Sequence, residues 1–215
     1  MIKSERAKWI FYRFLQILCR TVGTYIVGYR VDGRRNVPST GGLLVCANHQ
    51  SYIDPVLVGM AFDRKVQYLA RATLFRNFFF GGLISALDAI PLERGGAGAL
   101  RGLLETVKRL RNQKAVLIFP EGTRTSTGQM ARLQPGFINL ARRAETPILP
   151  VGLAGAYESW PRSGLPCFQR IHVSIGKPIP AADIAAMDDA ALLARLTTEM
   201  EELVARSNQR RQYEG

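Results

Sequence analysis

The sequence is poor in the residues that metal and redox chemistry need. Only two histidines, His49 and His172, stand among 215 residues. The three cysteines, Cys19, Cys46 and Cys167, form no Cys-x-x-Cys pair and no even disulfide set. No ligand cluster of useful spacing exists, which leaves no basis for a bound metal, and the unpaired thiols predict a reducing compartment. Acids are scarce too: 17 Asp and Glu face 29 Lys and Arg, a formal charge of +12. That excess predicts an anionic partner, whether nucleic acid, anionic lipid or a phosphorylated substrate. Nucleic acid is disfavoured, because no recognised binding motif is present and the aromatics cluster with aliphatic residues, not with Lys or Arg. There is no internal repeat, no low-complexity segment and no splitting linker. At 47% hydrophobic residues the chain has material for the core of one domain.

A long uninterrupted apolar run is also missing. Residues 6 to 29 read RAKWIFYRFLQILCRTVGTYIVGY, with Arg13 and Arg20 inside the run. A clean transmembrane span is not expected there. A signal peptide is not expected either, because the apolar region is broken and no small-residue cleavage site follows. Arg6, Arg13 and Arg20 are seven apart and share a helical face, extended by Gln16 and Thr24. Trp9, Ile10, Phe14, Ile17, Leu18, Val22, Tyr25 and Ile26 cover much of the rest. Residues 1 to 35 carry eight basic and two acidic side chains, half the net excess of the whole chain. This predicts a helix, or a bent helical pair around Gly23, lying in a membrane interface. Each basic residue near an anionic leaflet would add about 1 kcal/mol. Packing on the chain's own domain and a slanting or short membrane span are the alternatives; the width of the apolar face favours the membrane interface.

The chemically able residues gather after an apolar run. Leu43 to Ala47 ends in NHQSYIDP, residues 48 to 55, and a further apolar run follows. A short buried strand opening into a turn and then a helix brings side chains to the end of a sheet, where open α/β folds bind ligands. His49 suits general-base work, and Asp54 is the local acid that would orient it. Residues i and i+5 do not share a helical face, so the two meet only if residues 49 to 53 turn. Asp54-Pro55 reads equally as a helix start with Asp as N-cap. Ser51 lacks the Gly-x-Ser-x-Gly elbow. Cys46 lies within the apolar run and is expected buried and inert.

Further on, helices are expected over 56–62, 96–113, 134–145 and 188–206, and strands over 66–70, the AIPLER stretch, 115–119, 148–153 and 171–175. Strands alternating with helices predict an α/β domain with a mostly parallel central sheet flanked by helices. Phe78 to Phe80 would line an acyl-chain tunnel, touch the membrane or pack in the core. The AVLIF strand runs into PEGTRTSTG, a tight turn carrying Glu121, Thr123 and Arg124 at a strand end, where Arg makes a good phosphate fork. His172 reads as structural. The expected organisation is 1–29 interfacial, 30–206 the α/β domain, and 207–215 a polar, frayed tail.

Three stretches together carry a resemblance. NHQSYID has the form N-H-x4-D, AIPLER the form I-P-x-x-R, and FPEGTR stands complete, in that order, with ILPV following. Over about residues 30 to 180 the chain resembles the glycerolipid acyltransferases, in particular the bacterial 1-acylglycerol-3-phosphate acyltransferases. The resemblance implies His49 as general base and Asp54 as its orienting acid. It implies an acceptor site drawing on Asn48, Arg71, Arg94, Glu121, Gly122, Thr123 and Arg124, with residues 148–151 shaping the acyl-donor side. It implies no cofactor, but acyl-CoA or acyl-carrier protein as co-substrate, a lysophospholipid acceptor, and a place at the cytoplasmic face of the inner membrane on anionic lipid. One departure stands out: Gln134 in LQPG sits where many relatives have Lys. That keeps open another lysolipid acceptor, such as a lyso-ornithine lipid or lysophospholipid. A non-catalytic basic membrane-binding protein is the remaining alternative.

Overall fold

The computed structural model describes residues 5–76, 81–82, 84–85, 87–93, 95–161 and 165–213. Among the described residues seven strands form one sheet: β1 (Arg30–Asp32), β2 (Leu43–Ala47), β3 (Val66–Arg71), β4 (Ile90–Leu92), β5 (Ala115–Ile118), β6 (Ile148–Ala154) and β7 (His172–Ile175). Their order across the sheet is β1-β7-β6-β2-β5-β3-β4. All neighbours are parallel except β6 and β7. The helices are α1 (Glu5–Val22), α2 (Asp54–Ala61), α3 (Gly96–Arg111), α4 (Gly136–Ala144), α5 (Ala156–Ser159), α6 (Ala181–Ala186) and α7 (Asp189–Tyr213).

The central strands are apolar throughout because helices cover both faces. Every residue of β2, β5 and β6 is buried, as a doubly covered parallel sheet requires. Alternation along β2 divides the core. Val45 joins a layer with Leu57, Val58 and Phe62 of the α2 region, while Leu44 and Cys46 join a layer with Ile138 and with Leu192, Leu196 and Met200 of α7. Val45 lies opposite both Leu117 and Leu149. The parallel strands β2, β5 and β6 therefore end together, and their carboxyl ends form the edge where the motif loops emerge.

Two expectations are corrected here. Residues 207 to 213 are not a frayed tail but the last turns of α7. Ser207 is fully buried, donates to the Gly152 carbonyl at 3.0 Å and shares a hydrogen bond with Ser174 Oγ at 2.9 Å, which ties the helix to β6 and β7. Contact there is close because position 152 has no side chain. A Cβ at Gly152 would stand 2.4 Å from the Leu203 carbonyl carbon. Gly152→Ala is accordingly expected to cost about 1–3 kcal/mol through overpacking, read as a lowered midpoint in urea unfolding.

The second correction concerns α1, which continues into a π-helical turn, Gly23–Val27. Its polar stripe faces inward. Gln16 Nε2 donates to the carbonyls of Gly59 and Phe62, both at 2.7 Å. Arg20 donates to the Met60 carbonyl at 2.8–2.9 Å and pairs with Asp63 at 3.0 Å. Arg13 reaches the Asp63 carbonyl, and Lys8 pairs with Asp88. Carbonyls at the end of α2 lack helical partners and carry partial negative charge, so cationic and amide donors satisfy them. Lys8, Arg13 and Arg20, expected among the residues that meet lipid phosphates, are engaged by the protein itself. The apolar side, Trp9, Ile10, Phe14, Ile17, Leu18 and Val22, stays exposed.

Candidate active site

β2 delivers the first motif. The chain turns sharply after Ala47, and Asn48 is locked at once: its amide donates to the Leu153 carbonyl at 3.0 Å and accepts the Leu153 N–H at 2.7 Å. It is 1% exposed. The expectation of substrate contact at Asn48 is thus corrected to a cross-link between β2 and β6, since both ends of the amide are used.

The five-residue separation of His49 and Asp54 is bridged by a tight turn. His49 Nδ1 donates to Asp54 Oδ2 at 2.8 Å. The same oxygen accepts the N–H groups of Gln50 at 2.6 Å and Ser51 at 2.7 Å. The carboxylate therefore points back into the turn and does not cap α2, whose N-cap is Ile53. The helix-start reading holds for Pro55 in the first turn but not for an Asp54 cap. Asp54 is fully buried, and burial pushes its carboxyl above the usual range, with the His49, Ser51 and Gln50 donors opposing the push. With the proton on Nδ1 held by Asp54, the His49 lone pair sits on Nε2, as a general base needs.

The other hydroxyl and thiol near the turn are inert. Ser51 is fully buried and donates Oγ–H to the Trp160 carbonyl at 2.8 Å. Cys46 is fully buried in the core, and burial pushes its thiol well above the usual range.

β5 delivers the second motif against the first. Phe119 stacks on the His49 ring, with centroids 3.9 Å apart and planes 12° from parallel. Glu121 is buried and couples two loops: Oε1 accepts the His49 N–H at 2.6 Å and Oε2 accepts the Ala131 N–H at 2.7 Å. The Thr125 N–H donates to the His49 carbonyl at 2.8 Å. Gly122 has φ +73°, in the left-handed region that the turn demands and glycine tolerates. Thr123 is exposed on this turn.

Arg124 folds over Tyr52, its guanidinium carbon 3.5 Å from the ring centroid. Its Nη1 is buried and has no hydrogen-bond partner among the described residues. A cation held on an aromatic face with a donor left over suits capture of an anionic group. Gln134 lies beside the turn, its Cγ 4.0 Å from where a Cβ on Gly122 would stand, and its N–H donates to the Pro120 carbonyl at 2.8 Å.

The structure thus brings together His49, Asp54, Glu121, Gly122, Thr123 and Arg124. Arg71 ends β3, in register with Leu92 of β4, at the same edge of the sheet. Arg94 and Phe78 to Phe80 lie outside the described residues. Sequence reasoning missed Phe119, Tyr52 and Gln50. Gln50 ties the turn to two other segments, accepting from the Ala156 and Tyr157 N–H groups and donating to the Gly128 carbonyl. No pattern marks Tyr52 or Gln50; Phe119 could be found as the last residue of its apolar strand.

Glu121 gives the site a pH dependence. Burial, against the pull of its two N–H donors, pushes its carboxyl up to about 7 from an ordinary 4.5. Between those values the folded chain holds a proton that the unfolded chain has lost. The stability from this group is full below 4.5 and is lost as pH rises through about 7. The clamp on His49 behaves oppositely, because the ionised carboxylate accepts on both oxygens. Turnover is expected to climb through pH 7 as thermal stability falls. Glu121→Gln should flatten both trends, which parallel rate and melting profiles across that range would read.

A family model described as Acyltransferase matches residues 28–154. The chain is 26% identical over 196 residues to the 1-acyl-sn-glycerol-3-phosphate acyltransferase of Bacillus subtilis, covering 90% of this chain and 94% of that protein. It is 34% identical over 155 residues to the Pseudomonas aeruginosa protein of the same name, covering 71% of this chain but 58% of that one. Among solved structures, the 1-acyl-sn-glycerophosphate (LPA) acyltransferase of Thermotoga maritima superposes with a TM-score of 0.78 at 21% identity, over 97% of this chain and 83% of that one. That likeness agrees with the α/β fold.

Proposed function

This chain belongs to the acyltransferase family, and we propose that it moves a fatty acyl group from an acyl thioester, on CoA or acyl-carrier protein, to the free hydroxyl of 1-acylglycerol-3-phosphate, giving phosphatidic acid. The observation that carries the reading is the His49–Asp54 pair, joined at 2.8 Å at the mouth of the sheet. His49 Nε2 takes the proton of the acceptor hydroxyl as its oxygen attacks the thioester carbonyl. The imidazolium formed is stabilised by Asp54. Collapse of the tetrahedral intermediate expels the thiolate, which recovers the proton from His49. Transfer is direct, because Ser51 and Cys46 are buried and engaged or inert.

Arg124, seated on Tyr52 with Nη1 unpartnered among the described residues, supports a phosphate-bearing acceptor. An apolar crevice of about 170 Å3 runs between α1 and α2, lined by Leu15, Cys19, Val56, Met60 and Tyr68. It begins at Pro55, next to Asp54 in the chain, and would lodge an acyl chain. The exposed apolar side of α1 supports a peripheral or monotopic seat on the cytoplasmic face of the cell membrane. Among the described residues no helix is long and apolar enough to cross a membrane.

The test is release of free thiol from palmitoyl- or oleoyl-CoA by detergent-purified protein with a panel of lysolipid acceptors. Release dependent on lysophosphatidic acid supports the reading. Release only with a lyso-ornithine lipid or another lysophospholipid would move the acceptor, which the glutamine at position 134 favours. Gln134→Lys adds a cation beside Gly122 and is expected to lower KM for lysophosphatidic acid by up to about fivefold with kcat unchanged.

A further inference from the structure

At the β1 edge of the sheet a cleft of about 370 Å3 opens between the Gly23–Val27 turn, the segment entering β7 and the end of α7. Four arginines converge on it from separate parts of the chain: Arg30 on β1, Arg170 just before β7, and Arg210 and Arg211 near the end of α7. Two are held in place. Arg30 Nη1 donates to the Thr24 and Tyr29 carbonyls at 3.3 and 3.2 Å, and Arg211 Nη2 donates to Glu158 at 2.8 Å. The negative end of a helix attracts cations from its own last turn, which accounts for Arg210 and Arg211. It does not account for Arg30 and Arg170, which arrive from other elements. The rim is aromatic: Tyr25 is 83% and Phe168 80% exposed.

The position follows from strand register. Arg30 lies opposite His172, His172 opposite Ala154, and Asn48 clamps Leu153. The cleft therefore opens at the same end of the sheet as His49, three strand spacings from β2, or about 14 Å. None of its four arginines takes part in the site around Arg124.

We propose that this cleft binds the phosphate headgroup of an anionic phospholipid of the leaflet, at a site separate from the acceptor site. The proposal rests on the reading that the apolar side of α1 enters the membrane. Tyr25 and Ile26 belong to the turn that prolongs α1, and they carry its exposed apolar surface up to the cleft mouth. A concave pocket of headgroup size, bordered by surface that enters the bilayer, places its arginines at phosphate depth. An acidic protein helix would need a broader open face. The lipid would pin the β1 edge to the leaflet and turn the His49 end of the sheet toward it.

The experiment is partition of the full chain onto phosphatidylcholine vesicles with and without phosphatidylglycerol. Wild type is compared with Arg170→Ala/Arg210→Ala and with Arg35→Ala/Lys177→Ala, exposed cations at the opposite end of β1 and β7. The first pair should lower partition onto the anionic vesicles about 10–30-fold, near fivefold per arginine, and leave partition onto neutral vesicles unchanged. The second pair should change neither. Equal losses from both pairs would reduce the effect to overall charge and overturn the proposal, as would no loss from either. Unchanged partition with a raised KM for an acyl-carrier-protein donor would assign the cleft to that acidic carrier and overturn it too. Saturable shifts of tryptophan fluorescence with inorganic phosphate alone, lost in the first pair, would assign it to free phosphate instead. Failure of the wild type to bind even neutral vesicles would refute the seating of α1, a result separate from these. Both arginines are exposed, so melting midpoints close to wild type will show that each variant is folded.

Discussion

Alanine at His49 is expected to lower the rate of acyl transfer about 10²–10⁴-fold, the range that a positioned general base contributes. The loss should fall on kcat, with KM for the acceptor nearly unchanged, because the acceptor's phosphate is assigned to Arg124 and its neighbours. The fold should survive. His49 is partly exposed, and its backbone N–H and carbonyl, which hold the Glu121 and Thr125 contacts, remain after the substitution. Asp54→Asn is the more demanding variant. An amide oxygen can still accept from the Gln50 and Ser51 N–H groups, but the charge that stabilises the imidazolium is gone. Its NH2 would be buried where Oδ1 now has no partner among the described residues, at a cost of about 1–3 kcal/mol. Asp54→Asn should therefore lose most of the same activity and also melt earlier. Thiol-release kinetics beside thermal melts would separate the two effects. Residual turnover of His49→Ala within a few-fold of wild type would sink the general-base assignment.

The sheet was legible because its strands are buried on both faces. LLVCA, AVLI and ILPVGLA are continuous apolar runs ended by polar turns, and little else in the chain has that form. The His49–Asp54 pair was legible as residue types at a spacing, but the turn that joins them was not. The N–H groups of Gln50 and Ser51 draw the Asp54 carboxylate backward, and backbone donors leave no mark in a sequence. The structural parts played by Asn48 and Glu121 were hidden for a related reason. Their polar groups are satisfied by backbone of distant segments, Leu153 in one case and His49 with Ala131 in the other. Residue type within a motif cannot tell a cross-link from a substrate contact. The C-terminal helix ran past its expected end because one small residue, Ser207, meets Gly152 and Ser174 where the polar sequence around it shows no apolar stripe.

The orientation of α1 was the least legible feature, and it decides how the protein meets a membrane. A helix with one apolar and one polar side is ordinarily taken to bury the apolar one. Here Gln16, Arg13 and Arg20 dock on carbonyls that end α2, and the apolar side is left outward. Exchange of Ile10, Phe14 and Ile17 for serine tests this directly. These side chains are 62%, 63% and 56% exposed. Crediting each with about half of the roughly 1.5–3 kcal/mol of full burial gives about 2.3–4.5 kcal/mol, or roughly 50- to 2000-fold in vesicle partition. The melting midpoint in detergent should hardly move, since the helix is fastened by its polar side. Gln16→Ala with Arg20→Ala should do the reverse, lowering the midpoint by uncapping α2 while sparing partition per folded molecule. If the serine triple variant instead melted early and kept its partition, the apolar side would be a packing surface between copies of the chain, and the lipid would have to enter by another face.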